Sequence, residues 1–126
     1  MCGAARYAFT GEPEIVLNCH CNDCQKASGG QFATIIALKA EHFTSTGKLT
    51  FYDWRGSSGT LLRRGFCPIC GTTVYGYPPN PDVRNIWAGT LDDGDWVVPT
   101  LDHWLKSRKP WSVPLDTTEK CLDAFE

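Results

Sequence analysis

Hydrophobic and polar positions alternate in short runs along this chain, and nowhere do they recur at the three-to-four spacing of a long amphipathic helix. Phe32 to Leu38 is a near-continuous apolar run rich in β-branched residues, which predicts a buried strand. Leu49–Trp54 and Thr60–Phe66 flank Arg55-Gly56-Ser57-Ser58-Gly59, the pattern of a hairpin whose second strand delivers Cys67 at its end. Further strands are predicted at Val74–Tyr77, Arg84–Ala88, Trp96–Val98 and His103–Lys106, with Pro and Gly punctuation favouring short connections. Two helical pieces are expected, one through Gln25-Lys26-Ala27-Ser28 after Cys24 and a short one near Lys39–Phe43. There is no internal repeat, low-complexity tract or linker, so residues 1–126 are expected to form one mostly β domain.

Composition agrees with a packed core. The chain has 126 residues, 42% of them hydrophobic, and five Trp, four Tyr and six Phe supply large buried areas. A net charge of −2 and a pI near 5.9 argue against a nucleic-acid module, which wants a clustered basic surface. No stretch approaches the roughly 18 apolar residues of a membrane helix, and no apolar signal segment opens the chain. A cytoplasmic, reducing setting is the default expectation.

The chemistry lies in the cysteines. Seven is an odd number for a closed disulfide framework, and Cys-X-Cys and Cys-X-X-Cys pairs are poorly spaced for bridging. Metal binding accounts for them better. Cys19-His20-Cys21-Asn22-Asp23-Cys24 offers three thiolates without a local fourth ligand, which describes a zinc with an open position. Cys67-Pro68-Ile69-Cys70-Gly71 has the form of a zinc-ribbon knuckle. A thioredoxin-like redox motif would need a long helix after it, and Gly71 to Tyr77 reads instead as a strand ended by Pro78 and Pro79.

Cys2-Gly3-Ala4-Ala5-Arg6-Tyr7, Cys19 through Gly29 and Phe66-Cys67-Pro68-Ile69-Cys70-Gly71 together resemble the glutathione-dependent formaldehyde-activating enzyme family, which also contains a centromere protein. Ala88-Gly89-Thr90-Leu91-Asp92-Asp93 and Ser107-Arg108-Lys109-Pro110-Trp111 resemble its later motifs. The resemblance implies an Mss4-like fold of twisted antiparallel sheets with zinc-binding corners. It also implies a catalytic zinc on Cys19, Cys21 and Cys24 and a structural zinc on Cys2, Cys67 and Cys70. The family places one more cysteine two positions before Cys2, so the structural set lacks a ligand in this sequence. A late start site, a substitute ligand such as the amine of Cys2 after Met1 removal, or loss of the site would each explain this. Cys121 has no family role. A second departure is Asp102, which stands where the family commonly has His, with His103 following.

Beside these, His103 reads as a strand residue with an ordinary hydrogen bond, and His42 as a surface residue. His20, between Cys19 and Cys21 on extended chain, points to the opposite face and is expected to be structural or to support the ligands. Lys26, near a possible helix N-terminus, Arg64 and Arg108 are candidate cations for an anionic thiol, each also readable as a solvated surface charge. Trp54, Trp87, Trp104 and Trp111 are expected mainly in the core.

Zinc at an open site lowers the pKa of an incoming thiol, and a thiolate adds to an aldehyde carbon. The leading expectation is therefore a zinc-dependent carbon-sulfur lyase of the S-(hydroxymethyl)glutathione synthase type, whose partners are glutathione or a similar thiol and formaldehyde or another small aldehyde. A non-catalytic zinc-stabilised module for a macromolecular partner, and a redox or metal-handling protein with labile thiols, are the alternatives.

Overall fold

The protein is described here over residues 1–123 by a computed structural model. Its centre is an eight-stranded sheet in the order β10-β9-β2-β3-β8-β7-β6-β5. The strands are β2 (Ile15–Cys19), β3 (Ala33–Lys39), β5 (Thr50–Arg55), β6 (Leu61–Phe66), β7 (Thr73–Tyr77), β8 (Val83–Trp87), β9 (Leu101–His103) and β10 (Glu119–Lys120). Neighbours run antiparallel except for β9, which lies parallel to both β2 and β10. A separate two-stranded sheet pairs β1 (Arg6–Phe9) with β4 (Phe43–Thr46). The fold is mostly β, as the sequence predicts.

Because side chains alternate across a strand, the central strands bury both faces and split the core in two. Val16, Ile36, Leu38, Tyr75 and Ile86 fill one side, covered by Tyr7 and Phe9 of β1 and Phe43 of β4. Leu17, Cys19, Ala33, Ile35 and Leu101 fill the other, where Cys21, Cys24, Trp87 and Trp104 pack on them. Ile36, Leu38 and Ile86 are almost entirely shielded, and burial of each side chain stabilises the fold by about 1.5–3 kcal/mol.

Two predicted strands differ. Trp96–Val98 is a turn, in which the Val97 amide donates to Gly94 O and the Trp96 indole to Asp93 O. The apolar pattern there records Val97 packing on the core from a loop, not a strand. The strand predicted at His103–Lys106 ends at His103: Trp104 takes a left-handed backbone (φ 62°), and Leu105–Ser107 is a 3₁₀ turn. Lys39–Phe43 reduces to a 3₁₀ turn at Ala40–His42. The helix after the first cysteines, α1, spans Asn22–Ser28 and so contains Cys24; Gly29, with φ 70°, caps it by donating to Gln25 O.

Candidate functional site

Strand β2 delivers Cys19 at its last residue, buried against Ala33 of β3. The chain stays extended through Cys21, which caps α1: its Sγ accepts from the Cys24 amide at 3.3 Å, in the place an Asp or Ser usually takes. Cys24 then returns in the first turn of α1. The three Sγ atoms lie within 4.8 Å of one another and could hold a metal ion. As thiols they share protons unequally. Hydrogen bonds from the Cys19 and Cys24 thiols, helped by the Cys24 and Asp23 amides, draw Cys21 down to about 3. Sharing with Cys21 pushes Cys19 up to about 12, and sharing with Cys19 and Cys21 raises Cys24 strongly. One thiolate stabilised by two neighbouring thiols is a donor set suited to a soft cation such as zinc.

His20 points away from this cluster, as alternation predicts. Its ring is fully buried, and its Nε2–H donates to Asp102 Oδ1 at 2.8 Å. Asp102 also accepts from Asn18 at 3.3 Å, from the Thr118 hydroxyl and from Lys120 at 3.2 Å. Burial raises this carboxyl, but the bonds from Thr118, His20, Lys120 and Asn18 outweigh it and hold Asp102 below the ordinary carboxylate range. Gln25 clamps the other side, donating to His20 O at 2.6 Å and to Ser107 O at 3.0 Å. Asp102, a departure in the family motif, is thus the anchor of the strand end that carries Cys19.

The parallel pairing of β2 with β9 sets His103 opposite Cys19, on the same face. Burial lowers its imidazole, against the pull of Cys21. The His103 backbone oxygen accepts from the His20 amide at 2.9 Å. Its place beside the cysteines comes from pairing across more than eighty residues, for which a single sequence has no signal. Trp87 and Trp104 border the same cluster, whereas Trp111 is two-thirds exposed. Trp54 sits half-buried on β5 and donates its indole N–H to Asp23 Oδ2 at 3.0 Å, tying the edge hairpin to α1.

The expected cations separate. Lys26 stands exposed in the last turn of α1, not at its N-terminus, so it gains nothing from the helix dipole for anion binding. Arg108 is folded back onto Ser112 O. Arg64 lies on β6 over the rings of Tyr52 and Trp54, at 5.8 and 5.6 Å from Cζ to centroid.

The second cluster forms where Cys67 follows β6. The Gly71 amide donates to Cys67 O at 2.8 Å and the Cys67 amide to Thr72 O at 2.9 Å, closing the knuckle with Gly71 at φ 75°. Cys2 reaches it from the N-terminal segment, with its Sγ 3.5 Å from that of Cys67; Cys2, Cys67 and Cys70 also lie within 4.8 Å. The Thr72 hydroxyl donates to Cys70 Sγ at 3.2 Å and, with its amide, lowers Cys70 to about 6. The Ala4 amide draws Cys2 down, but sharing with Cys67 and Cys70 leaves it raised. Both predicted ligand sets therefore gather in space, and Cys121 joins neither.

The family model described as "Glutathione-dependent formaldehyde-activating enzyme" matches residues 1–107, which include all six of these cysteines. The chain belongs to the glutathione-dependent formaldehyde-activating enzyme family. Among solved structures, a crystal structure of a Rhodobacter sphaeroides protein matches with a TM-score of 0.56 and 19% identity, over 78% of this chain and 86% of that one. At that identity the likeness is one of fold. No curated protein matches the chain. Among the described residues of this family member, no helix is long and apolar enough to cross a membrane.

Proposed function

We propose that Cys19, Cys21 and Cys24 hold a catalytic zinc, that Cys2, Cys67 and Cys70 hold a structural one, and that the protein joins a thiol, glutathione or a relative, to formaldehyde or another small aldehyde. The family match supports the reaction class. The observation that carries the assignment is that Cys19, Cys21 and Cys24 bring three Sγ atoms within 4.8 Å from one short segment beside Trp87 and Trp104, whereas the equally close Cys2, Cys67 and Cys70 join segments 65 residues apart. Bound zinc would supply the positive charge that lowers a thiol's pKa, with three protein ligands leaving one corner open.

The chain's own residues supply the rest. Cys21 and its amide bonds fix one sulfur, β2 fixes Cys19, and the first turn of α1 fixes Cys24. Leu17, Ala33, Ile35, Trp87 and Trp104 surround them with apolar surface, which limits water at the sulfurs. Three thiolates carry more negative charge than one dication neutralises, so the site favours a soft thiol over a carbonyl oxygen as its fourth partner. In the reaction the thiol sulfur bonds to the carbonyl carbon, the carbon-oxygen π pair moves onto oxygen, and the proton lost from sulfur ends there; the reverse breaks the carbon-sulfur bond. In this reading residues 1–126 act as one domain in a reducing compartment such as the cytoplasm, where free cysteines persist.

Exchange NMR of ¹³C-formaldehyde with glutathione separates catalysis from the spontaneous addition. Zinc-loaded protein should raise the exchange rate in proportion to its concentration, and Cys21→Ser should abolish the increase. Equal rates with and without wild-type protein would rule the reaction out for these substrates.

A further inference from the structure

We propose that Arg64 is the docking residue for a carboxylate on the thiol substrate, so that the site selects carboxylate-bearing thiols over neutral ones; this rests on the reading of Cys19, Cys21 and Cys24 as the thiol-binding centre. Three observations converge on it. The first is position. Arg64 pairs with Tyr52 on one side and Gly76 on the other, and Gly76 pairs with Asn85 of β8. Directly paired residues share a face and so do residues two apart, so Arg64 stands on the face of Trp87, the face onto which Cys19, Cys21 and Cys24 pack. A Cβ on Gly76 would fall 3.4 Å from the Trp87 ring, which confirms the side. The Arg64 guanidinium lies over Trp54, and Trp54 in turn holds Asp23, which sits between Cys21 and Cys24 in the first turn of α1.

The second is an account of acceptors. Arg6 donates to Asp92, Arg55 to Gly59 O, Arg63 to Asp53, Arg84 to Pro81 O and Val83 O, and Arg108 to Ser112 O. Arg64 is the one arginine of the six, all among the described residues, that has no protein acceptor. Its Nε is buried without a hydrogen-bond partner, a donor whose desolvation is uncompensated until something fills it. Asp23, the acid nearest in the chain of contacts, has its Oδ2 engaged by the Trp54 indole.

The third is preorganisation. Tyr52 and Trp54 stack at 6.1 Å with planes 14° apart, and the guanidinium rests against both rings. Cation–π contact holds the planar fork in place while leaving its N–H edge for an in-plane acceptor, and a carboxylate is the acceptor that matches it with two parallel bonds. Tyr52 is 55% exposed, so the box opens to solvent, where a ligand enters. Glutathione carries a carboxylate at each end and a simple mercapto acid carries one, so each presents a thiol and an acceptor for Arg64 in one molecule.

The test uses the full chain loaded with cobalt(II), whose absorption reports thiol binding without any turnover. Titrations compare 3-mercaptopropionate with its methyl ester. Wild type should bind the acid about ten- to a hundredfold more tightly, the scale of charge-assisted bonds to a carboxylate. Arg64→Gln should erase that preference while leaving the affinity for the ester within about twofold, and Arg64→Lys, which keeps charge without the fork, should retain only part of it. Equal binding of acid and ester by wild type overturns the Arg64 assignment and needs no variant to fold. So does an Arg64→Gln protein that keeps the preference. If neither thiol changes the cobalt spectrum, the thiol-binding centre itself is refuted and the docking role falls with it.

Discussion

Asp102 gathers four donors around one buried carboxylate, and its protonation state is therefore tied to folding. Its folded value is depressed, so it contributes stability that is fully present above the ordinary carboxylate value near 3.9 and lost as pH falls through the depressed one. Urea unfolding between about pH 2 and 6 should show this acid limb. Asp102→Asn should flatten it and should cost about 2–4 kcal/mol at neutral pH, because an amide group then faces the Thr118 and Lys120 donors. An unchanged acid limb in the variant would show that the network does not titrate with folding. The sequence placed His20 on the face away from the cysteines, by alternation alone. It could not show what His20 meets there, because its partner lies 82 residues away.

At the scale of elements the two cysteine clusters differ in what they fasten. Cys19, Cys21 and Cys24 lie within one strand end and one helical turn, so a metal there closes almost no chain. Cys2 and Cys67 are 65 residues apart, and a metal joining them closes a long loop between the N-terminal segment and the turn between β6 and β7. Cys67→Ser should therefore cost about 2–5 kcal/mol, the range for losing a native cross-link, and Cys21→Ser only about 1 kcal/mol. Thermal unfolding of the two metal-loaded variants checks the order; a larger loss for Cys21→Ser would reverse the assignment of structural and catalytic clusters. The tie between hairpin and helix is smaller. Trp54→Phe keeps the ring but removes the bond to Asp23, and should lower stability by about 1 kcal/mol in the same assay. The strands β3, β5, β6, β7 and β8 were legible because apolar runs and turn residues bound them. Strands β1, β2, β4, β9 and β10 were missed or misplaced: four of the five are short, β1 and β4 pair with each other across 34 to 40 residues (Phe9 with Phe43, Arg6 with Thr46), and β9 joins β2 across 84 (Leu17 with Leu101). Trp96–Val98 misled because apolar residues in a loop can pack as tightly as those in a strand.

For the molecule as a whole, the sheet acts as a wall with different duties on its two faces. One side carries the aliphatic core closed by β1 and β4, and the other carries the six-residue cysteine segment, His103, Trp87 and the Arg64 box. Cys19, Cys21 and Cys24 and the Cys67–Cys70 pair were readable as candidate ligands because their spacing is local, whereas Cys2, 65 residues from Cys67, joined them only through the family resemblance. The surroundings that give one set its chemistry were not readable, because register assembles them from β6, β8 and β9. Cadmium-113 NMR of the fully loaded protein tests the central claim most directly, since each site gives its own resonance. Glutathione should shift the resonance that Cys21→Ser removes and leave the one that depends on Cys67 in place. Two resonances that both ignore glutathione, or a shift confined to the Cys67-dependent one, would contradict the assignment of Cys19, Cys21 and Cys24 as the open, thiol-accepting site.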